Sequence, residues 1–293
     1  MKKAIESMSA QSDDPSRDQD GQRRQWDSVA AGWVKWWRTI EHGAQSVSER
    51  MLDLAGVRPG HRVLDIATGI GEPALRAASR VGAAGRVVAT DLSSRMLDFA
   101  RERATSLGLT NVEFMEVDAG RMDFADRSFD AVLCRWGITS LPDPPGTLAA
   151  IRRMLAPGGS FATAVWEAGS RGRPLASLAG AVARELFDPA SPPQDAAATP
   201  GSAGKALEDE MIRAGFADVR FEEMTLALDF SAAGDCIQYL MDVSPDLAAL
   251  VSGRSSGEQA EYRRRVAERL GQFVTADGGI RIPNVTVCAA GRR

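Results

Sequence analysis

Short apolar segments alternate with helical patterns through the middle of the chain. Segments rich in Val, Leu, Ala and Phe are predicted to be strands at 62–66, 86–90, 112–117, 129–134 and 159–166. Stretches with helical periodicity are predicted to be helices at 73–81, 93–106 and 147–155. Short apolar strands that alternate with helices are typical of a parallel, doubly wound sheet, so the predicted fold class is α/β.

The N-terminal part of the chain has a different pattern. Residues 1–21 are mainly polar and are predicted to form a disordered tail. The following segment has tryptophans at helical spacing, which predicts an aromatic helix, and a second helix is expected at 44–55. Four of the six tryptophans of the chain lie in this segment: Trp26, Trp33, Trp36 and Trp37.

The C-terminal part completes the predicted domain. Its predicted elements are a loop at 168–205 with a helix at 175–187, a helix at 206–214, strands at 219–228 and 284–289, and a largely helical stretch at 231–277. We expect one domain over 22–293, with an N-terminal helical cap (22–57), a cofactor-binding core (58–168) and a helical lid insertion (231–279). Because helices of the sheet fill its two faces, the cap and the lid are expected to cover its carboxyl edge.

Composition and charge restrict the possible partners. The 293 residues include 35 basic and 39 acidic side chains, and the net charge of −4 provides no general attraction for nucleic acid or for an anionic membrane. The three cysteines are far apart, which indicates reduced thiols in a cytoplasmic protein. No stretch approaches 18 apolar residues, and no cluster of Asp, Glu and His adjoins the motifs at ligand spacing. We therefore predict no nucleic-acid partner, no membrane partner and no metal site.

A glycine-containing loop follows the first predicted strand. Its sequence is DIATGIGEPA (65–74), in which Gly69 and Gly71 permit a tight turn and a close approach of the backbone to a ligand. The same spacing matches the dinucleotide-binding fingerprint, with Asp91 20 residues beyond Gly71. An NAD(P)-dependent oxidoreductase is therefore one possible interpretation.

Charge favours a different ligand. Asp65 and Glu72 would repel a pyrophosphate at this loop, whereas a sulfonium ligand with an α-ammonium group would be attracted to their carboxylates. Asp91 ends the second strand and can accept hydrogen bonds from ribose hydroxyls, and Asp118 is placed to meet an adenine amino group. These acids favour S-adenosylmethionine.

Five segments together resemble the successive motifs of a known family. The segments are VLDIATGIGEPAL (63–75), VVATDLSSRML (87–97), VEFMEVDA (112–119), FDAVLCRWGITSLPD (129–143) and LAPGGSF (155–161). They are similar to class I S-adenosylmethionine-dependent methyltransferases, in particular the small-molecule branch similar to the ubiquinone/menaquinone C-methyltransferases. The resemblance implies a Rossmann-like, seven-stranded sheet of order 3-2-1-4-5-7-6, with the last strand antiparallel.

The resemblance also implies which residues contact the cofactor. It places Asp65, Gly69 and Gly71 at the methionine end, Asp91 and Leu92 at the ribose, and Asp118 with Ala119 and Met96 at the adenine. Ala67 stands where many family members have glycine, and it belongs to the same predicted site. Arg135 directly follows the fourth strand, at the edge where doubly wound sheets bind ligands, and it completes the predicted cofactor set.

The predicted activity is direct SN2 methyl transfer to a small metabolite by a monomer or homodimer. We expect a flat, apolar acceptor of the aromatic, quinone-like, indole or polyketide type, methylated at a ring carbon or a hydroxyl. His42 is the candidate base for a hydroxyl acceptor, while Trp33, Trp36 and Trp136 are the candidate substrate and lid residues. A nucleic-acid methyltransferase is a further alternative, although the DPPG sequence at 143–146 lacks the aromatic residue that would stack on a flipped base.

Overall fold

The computed structural model describes residues 15–141, 143–189 and 201–293, and its centre is a seven-stranded sheet. The strands are β1 (Arg62–Ile66), β2 (Arg86–Asp91), β3 (Val112–Glu116), β4 (Phe129–Arg135), β5 (Leu155–Trp166), β6 (Ala217–Phe230) and β7 (Ile280–Arg292). Their order is β3-β2-β1-β4-β5-β7-β6, and β7 runs antiparallel to both of its neighbours. The predicted fold class and strand order are confirmed.

The parallel half of the sheet determines where a ligand can bind. β1 pairs in parallel with β2 and with β4, so Asp65 lies opposite Ala89 on one side and Leu133 on the other. Apolar residues of these strands are buried because helices cover both faces of the sheet. The carboxyl ends of β1, β2 and β4 therefore meet at one edge, where the chain turns away from the sheet and leaves a crevice.

Nine α-helices surround the sheet in the part of the chain that the structure describes. They are α1 (Pro15–Leu54), α2 (Ala74–Val81), α3 (Ser94–Ser106), α4 (Pro144–Met154), α5 (Pro174–Phe187), α6 (Ser202–Arg213), α7 (Ala233–Val243), α8 (Pro245–Ser252) and α9 (Ser256–Arg269). The helical stretch expected at 231–277 is thus formed by α7, α8 and α9, followed by a short 3₁₀ turn at Leu270–Phe273. None of the described helices is both long enough and apolar enough to cross a membrane.

Helix α1 differs from the prediction at both of its ends. It is one continuous helix of 40 residues, whereas the sequence predicted an aromatic helix and a separate helix at 44–55. It also begins at Pro15, so residues 15–21 of the predicted tail are helical, and residues 1–14 lie outside the described residues. Arg23 supports this first part of the helix through ion pairs with Asp20 and with Glu116 at the end of β3.

Two glycines inside α1 serve close packing and do not end the helix. A Cβ atom at Gly43 would lie 2.3 Å from the backbone oxygen of Ala227 in β6, and one at Gly32 would lie 1.9 Å from the backbone oxygen of Asp242 in α7. Both positions therefore accept only glycine. Helix α1 packs directly on β6 and on the helical segment that follows it, so the predicted cap and lid contact each other.

Candidate functional site

The loop after β1 turns sharply and presents its backbone to a cavity. Ala67, Gly69 and Gly71 all have positive φ angles, of 56°, 55° and 100°. The Thr68 amide donates to the backbone oxygen of Thr90 in β2 at 2.9 Å, which fixes the start of the turn. A Cβ atom at Gly69 would meet nothing within 4 Å, so this residue faces open space. The left-handed conformation of Ala67 explains physically why glycine suits that position.

Asp65 holds this loop from behind. Its side chain is fully buried, and Oδ2 accepts hydrogen bonds from the Thr68 hydroxyl at 2.6 Å and the Ala74 amide at 3.0 Å. Burial raises the pKa of the Asp65 carboxyl to about 7. Neither Asp65 nor Gly71 lines the cavity, so these two predicted cofactor residues position the loop and do not form its ligand-facing surface.

Two other acids lie at the ends of neighbouring strands and do line the cavity. Asp91 accepts from the Gly69 amide at 2.7 Å and from the Ser93 amide at 2.9 Å, and burial raises the pKa of its carboxyl above the usual range. Asp118 accepts from the Gly120 amide at 2.8 Å, whereas its Oδ2 is buried without a partner among the described residues. The carboxylates keep acceptor capacity for a ligand's hydroxyl and amino groups.

Eight of the ten residues predicted to contact the cofactor line this first cavity. They are Ala67, Gly69, Asp91, Leu92, Met96, Asp118, Ala119 and Arg135. We call it the cofactor cavity. Met96 is 2% exposed and packs with apolar residues of the loop and of α1, which places a polarizable apolar surface beside the acids.

A buried charge network forms one wall of the cofactor cavity. Arg135 makes a bidentate ion pair with Glu41 of α1, at 2.5 and 3.1 Å, and donates to the Ser48 hydroxyl at 2.9 Å. Glu72 also lines the cavity and accepts from Arg103 at 2.9 Å. Burial and then repulsion from Glu41 raise the pKa of the Glu72 carboxyl. Because Arg135 is paired with Glu41, and Glu72 with Arg103, this wall offers a pyrophosphate no free guanidinium.

A second cavity, of about 440 Å³, adjoins the first, which measures about 150 Å³. It lies among α1, the start of α5, strand β6 and helices α7 and α8. Its apolar lining residues include Ile40, Trp166, Leu175, Leu226, Leu228 and Leu240. Its volume lies in the range of sites that hold small molecules, and we call it the acceptor cavity.

Three tryptophans line both cavities. Trp26 and Trp33 come from α1, and Trp136 follows β4. The Trp136 ring stacks on Trp166 with centroids 4.2 Å apart, and its indole nitrogen donates to the Thr286 hydroxyl at 2.9 Å. Its φ of 61° is unusual for a bulky residue, as is typical of a side chain held in position at a functional site.

Trp36 does not join these three residues. It lines neither cavity, and its indole nitrogen donates to Asp242 of α7 at 2.8 Å. Its ring makes edge contacts with Phe230 and Tyr239, at centroid distances of 6.0 and 5.8 Å. The structure therefore places Trp36 in the packing between α1, β6 and α7, away from both cavities, so the predicted substrate role has no support there, whereas a lid role stays a prediction.

The predicted base also lies apart from the site. His42 is exposed and lines neither cavity. Sequence reasoning missed Trp26, although its spacing of seven residues from Trp33 puts both on one helix face. It also did not predict the pairing of Glu41 with Arg135, because nothing in the local sequence connects two residues that lie 94 positions apart.

Comparison with known proteins gives a domain assignment. Residues 63–159 match the family described as Methyltransferase domain. The chain is 39% identical over 150 residues to the ubiquinone/menaquinone biosynthesis C-methyltransferase UbiE of Ectopseudomonas mendocina, covering 50% of this chain and 58% of that protein. It is 40% identical over 109 residues to UbiE of Teredinibacter turnerae, covering 37% and 44%. The chain thus spans about half the length of these curated relatives.

Solved structures share the fold at low identity. The methyltransferase in the Haloferax volcanii complex with the Trm112 activator has a TM-score of 0.54 and 22% identity, covering 92% of this chain and 96% of that one. A putative methyltransferase of Bacillus halodurans has a TM-score of 0.51 and 21% identity, covering 84% and 98%. The [4+2]-cyclase SpnF also has a TM-score of 0.51, with 19% identity and coverage of 85% and 80%. These likenesses show the fold alone, since the fold hosts more than one reaction.

Proposed function

We propose that this chain, which contains a class I S-adenosylmethionine-dependent methyltransferase domain similar to the ubiquinone/menaquinone C-methyltransferases, methylates a small, flat and largely apolar acceptor. The observation that carries this proposal is the meeting of two cavities at Trp26, Trp33 and Trp136. One cavity is lined by a glycine turn and acids, and the other by aromatic and aliphatic side chains. A donor and an acceptor bound in them would face each other across the shared tryptophans.

The residues of the cofactor cavity fit S-adenosylmethionine. Glu72 lies near the glycine turn, where a carboxylate would attract the α-ammonium and sulfonium groups. Asp91 would accept from the ribose hydroxyls, the unpartnered Oδ2 of Asp118 would accept from the adenine amino group, and Met96 would pack on the adenine ring. When bound, this cofactor supplies an electrophilic methyl group on positively charged sulfur.

The residues that line the two cavities disfavour the two alternative functions. An NAD(P)-dependent oxidoreductase needs donors for a pyrophosphate, but Glu72 lines the cofactor cavity and Glu41 already pairs with Arg135. A nucleic-acid methyltransferase needs a cationic surface for the phosphate backbone, and the acceptor cavity offers one arginine, Arg173, within a largely apolar lining.

We further propose a ring carbon as the methylated atom. An electron-rich ring carbon attacks the methyl group with its own electron pair, the sulfur keeps the electrons of the broken S–C bond, and the ring proton leaves afterwards to solvent. Such a nucleophile needs no base before transfer, and neither His42 nor His61 lines the acceptor cavity. The main tasks of the protein are then to align the two molecules and to exclude water, for which the tryptophan walls are suited.

Calorimetry of cofactor binding tests the proposal. We expect S-adenosylmethionine and S-adenosylhomocysteine to bind and NAD not to bind. Asp91→Ala should weaken binding by about one to four orders of magnitude, because it removes two charge-assisted hydrogen bonds to the ribose. Asp98→Ala is the matched control, since Asp98 is an exposed acid of α3 whose described ion pair is with Arg101 on the same helix.

The outcome of the acceptor assay separates the remaining alternatives. Incubation with S-adenosylmethionine and a cell extract should increase the mass of one metabolite by about 14 Da. Binding of NAD together with no response to either sulfur compound would refute the proposal. Methylation found on a hydroxyl would overturn the choice of a ring carbon and leave methyl transfer itself intact.

A further inference from the structure

Arg173 and Tyr239 are among the polar side chains of the acceptor cavity that have no partner in the part of the chain that the structure describes. Arg173 precedes α5 at the exposed end of the cavity, and its guanidinium makes no hydrogen bond, ion pair or ring contact with any described residue. Tyr239 comes from α7, and no described residue hydrogen-bonds to its hydroxyl. The other arginine that lines one of the two cavities is Arg135, and its charge is neutralised by the ion pair with Glu41. An unpaired guanidinium beside an apolar cavity is suited to an anionic ligand group.

Arg173 and Tyr239 line the same cavity, and the positive charge of Arg173 acts on the Tyr239 hydroxyl. Burial has the larger effect and raises the pKa of this phenol to about 12. Tyr239 therefore remains a neutral donor near pH 7, in a cavity that also contains the cationic donor Arg173. The other charged residue of the cavity, Asp246 of α8, accepts from Gln25 of α1 at 3.0 Å and is not paired with Arg173.

The position of this donor pair gives it a role in substrate choice. Arg173 and Tyr239 line the acceptor cavity and not the cofactor cavity, whereas Trp33 and Trp136 line both. An acceptor held by its polar end at Arg173 would extend along the apolar wall, past residues such as Leu175, with its ring directed toward the shared tryptophans. The donor pair would then determine which ring atom approaches the cofactor.

We propose that Arg173 and Tyr239 bind an anionic oxygen of the methyl acceptor, which makes the substrate class a flat aromatic compound with an acidic oxygen substituent. The inference rests on the proposed function, because it names the substrate class of the same acceptor cavity. A carboxylate and an ionised enol offer the same chemistry to the two donors. The test therefore includes a probe of each kind.

Calorimetry with matched probe pairs tests the inference. One pair is 2-naphthoate and 2-naphthamide, and the other is 2-hydroxy-1,4-naphthoquinone, whose enol is ionised at neutral pH, and its uncharged methyl ether. All four are titrated with and without S-adenosylhomocysteine. We expect at least one anion to bind about tenfold more tightly than its neutral partner, which is the effect of one charge-assisted hydrogen bond. The pair that shows the preference identifies the carboxylate or the enol.

Variants assign the preference to the two residues. Arg173→Gln should reduce it to threefold or less and leave the affinity for the neutral probes unchanged, while Arg173→Lys should keep part of it. Tyr239→Phe should weaken binding of the anion about three- to tenfold. The matched control is Arg213→Gln, because Arg213 is exposed on α6 and donates to the backbone of its own helix. The melting temperature of each variant is recorded so that a folding defect is recognised.

The outcomes decide between distinct failures. Equal binding of anion and neutral probe by the wild-type protein, no binding of any probe, or a preference that survives in Arg173→Gln would each overturn the inference. If S-adenosylhomocysteine binds while the probes show no preference, the proposed function stands and the substrate class is wrong. If S-adenosylhomocysteine does not bind, the proposed function fails, and the titrations without it still decide whether the cavity selects anions.

Discussion

The two tryptophans Trp33 and Trp36 lie three residues apart on the same helix, and the structure predicts opposite effects of replacing them. Trp36 packs against Phe230 and Tyr239 and donates to Asp242 at 2.8 Å. Trp33 lines both cavities, and its indole nitrogen is buried without a partner among the described residues. Trp36→Ala should therefore affect stability, and Trp33→Ala should affect methyl transfer.

The expected magnitudes follow from these contacts. Loss of a packed tryptophan ring costs about 3–5 kcal/mol of unfolding free energy, and for a chain of this size each kcal/mol lowers the melting temperature by about 2–4 °C. Trp36→Phe keeps an aromatic ring but removes the hydrogen bond to a carboxylate and part of the ring packing, so it should cost at least about 1.5–3 kcal/mol. Trp33→Ala loses a ring that borders open space and has no hydrogen bond to lose, so its cost should stay below about 2 kcal/mol.

Thermal unfolding and low-temperature turnover together measure the two roles. Turnover is followed as formation of S-adenosylhomocysteine with an acceptor-containing extract, well below the melting temperature of every variant. Trp36→Ala should melt much earlier than the wild-type protein and still turn over at low temperature, whereas Trp33→Ala should lose at least about tenfold in turnover or in cofactor affinity. The reasoning is refuted if Trp33→Ala melts as early as Trp36→Ala and turns over normally, or if Trp36→Ala melts like the wild-type protein.

Two further predictions concern the loop after β1. Ala67→Gly should leave stability unchanged or raise it by about 1 kcal/mol in urea unfolding, because glycine accepts the φ of 56° without strain, and clear destabilisation would contradict this account. Burial raises the pKa of Asp65 in the folded protein to about 7, above its ordinary value of 3.8, so its contribution to stability is complete below about pH 4 and is lost as the pH rises to about 7. Asp65→Asn should reduce the slope of stability against pH in this window by up to about 1.4 kcal/mol per pH unit, and an unchanged slope would show that another group titrates there.

The sheet and the glycine loop could be predicted well from the sequence, because both are determined by local patterns. Strands buried on both faces must be almost wholly apolar, so the alternation of short apolar and helical segments predicted β1 to β5 within a few residues. A tight turn with positive φ needs small residues, so Gly69 and Gly71 marked the loop. Acids at the ends of parallel strands must lie at one edge of the sheet, which is why Asp91 and Asp118 were expected there, and both line the cofactor cavity.

The remaining features depend on contacts between distant parts of the chain. Gly43 directly precedes the separate helix that the sequence predicted at 44–55. The structure shows instead that it lies inside one helix of 40 residues, at a close approach to β6. Asp65 and Glu72 are both acidic residues of the loop after β1. Asp65 is buried behind the loop, whereas Glu72 lines the cofactor cavity, and this difference is visible only in the tertiary structure.

The division of roles among side chains was likewise decided by the tertiary structure. Trp33 and Trp36 share a residue type and a helix, and their different surroundings come from α7 and β6, which follow about 200 residues later in the chain. The pairing of Arg135 with Glu41, and the placement of Arg173 and Tyr239 in one cavity, bring together segments that no local pattern connects. Local patterns predict most of the strands and helices and the apolar residues that they bury, whereas the partner of a buried charge is determined only when the elements pack against one another.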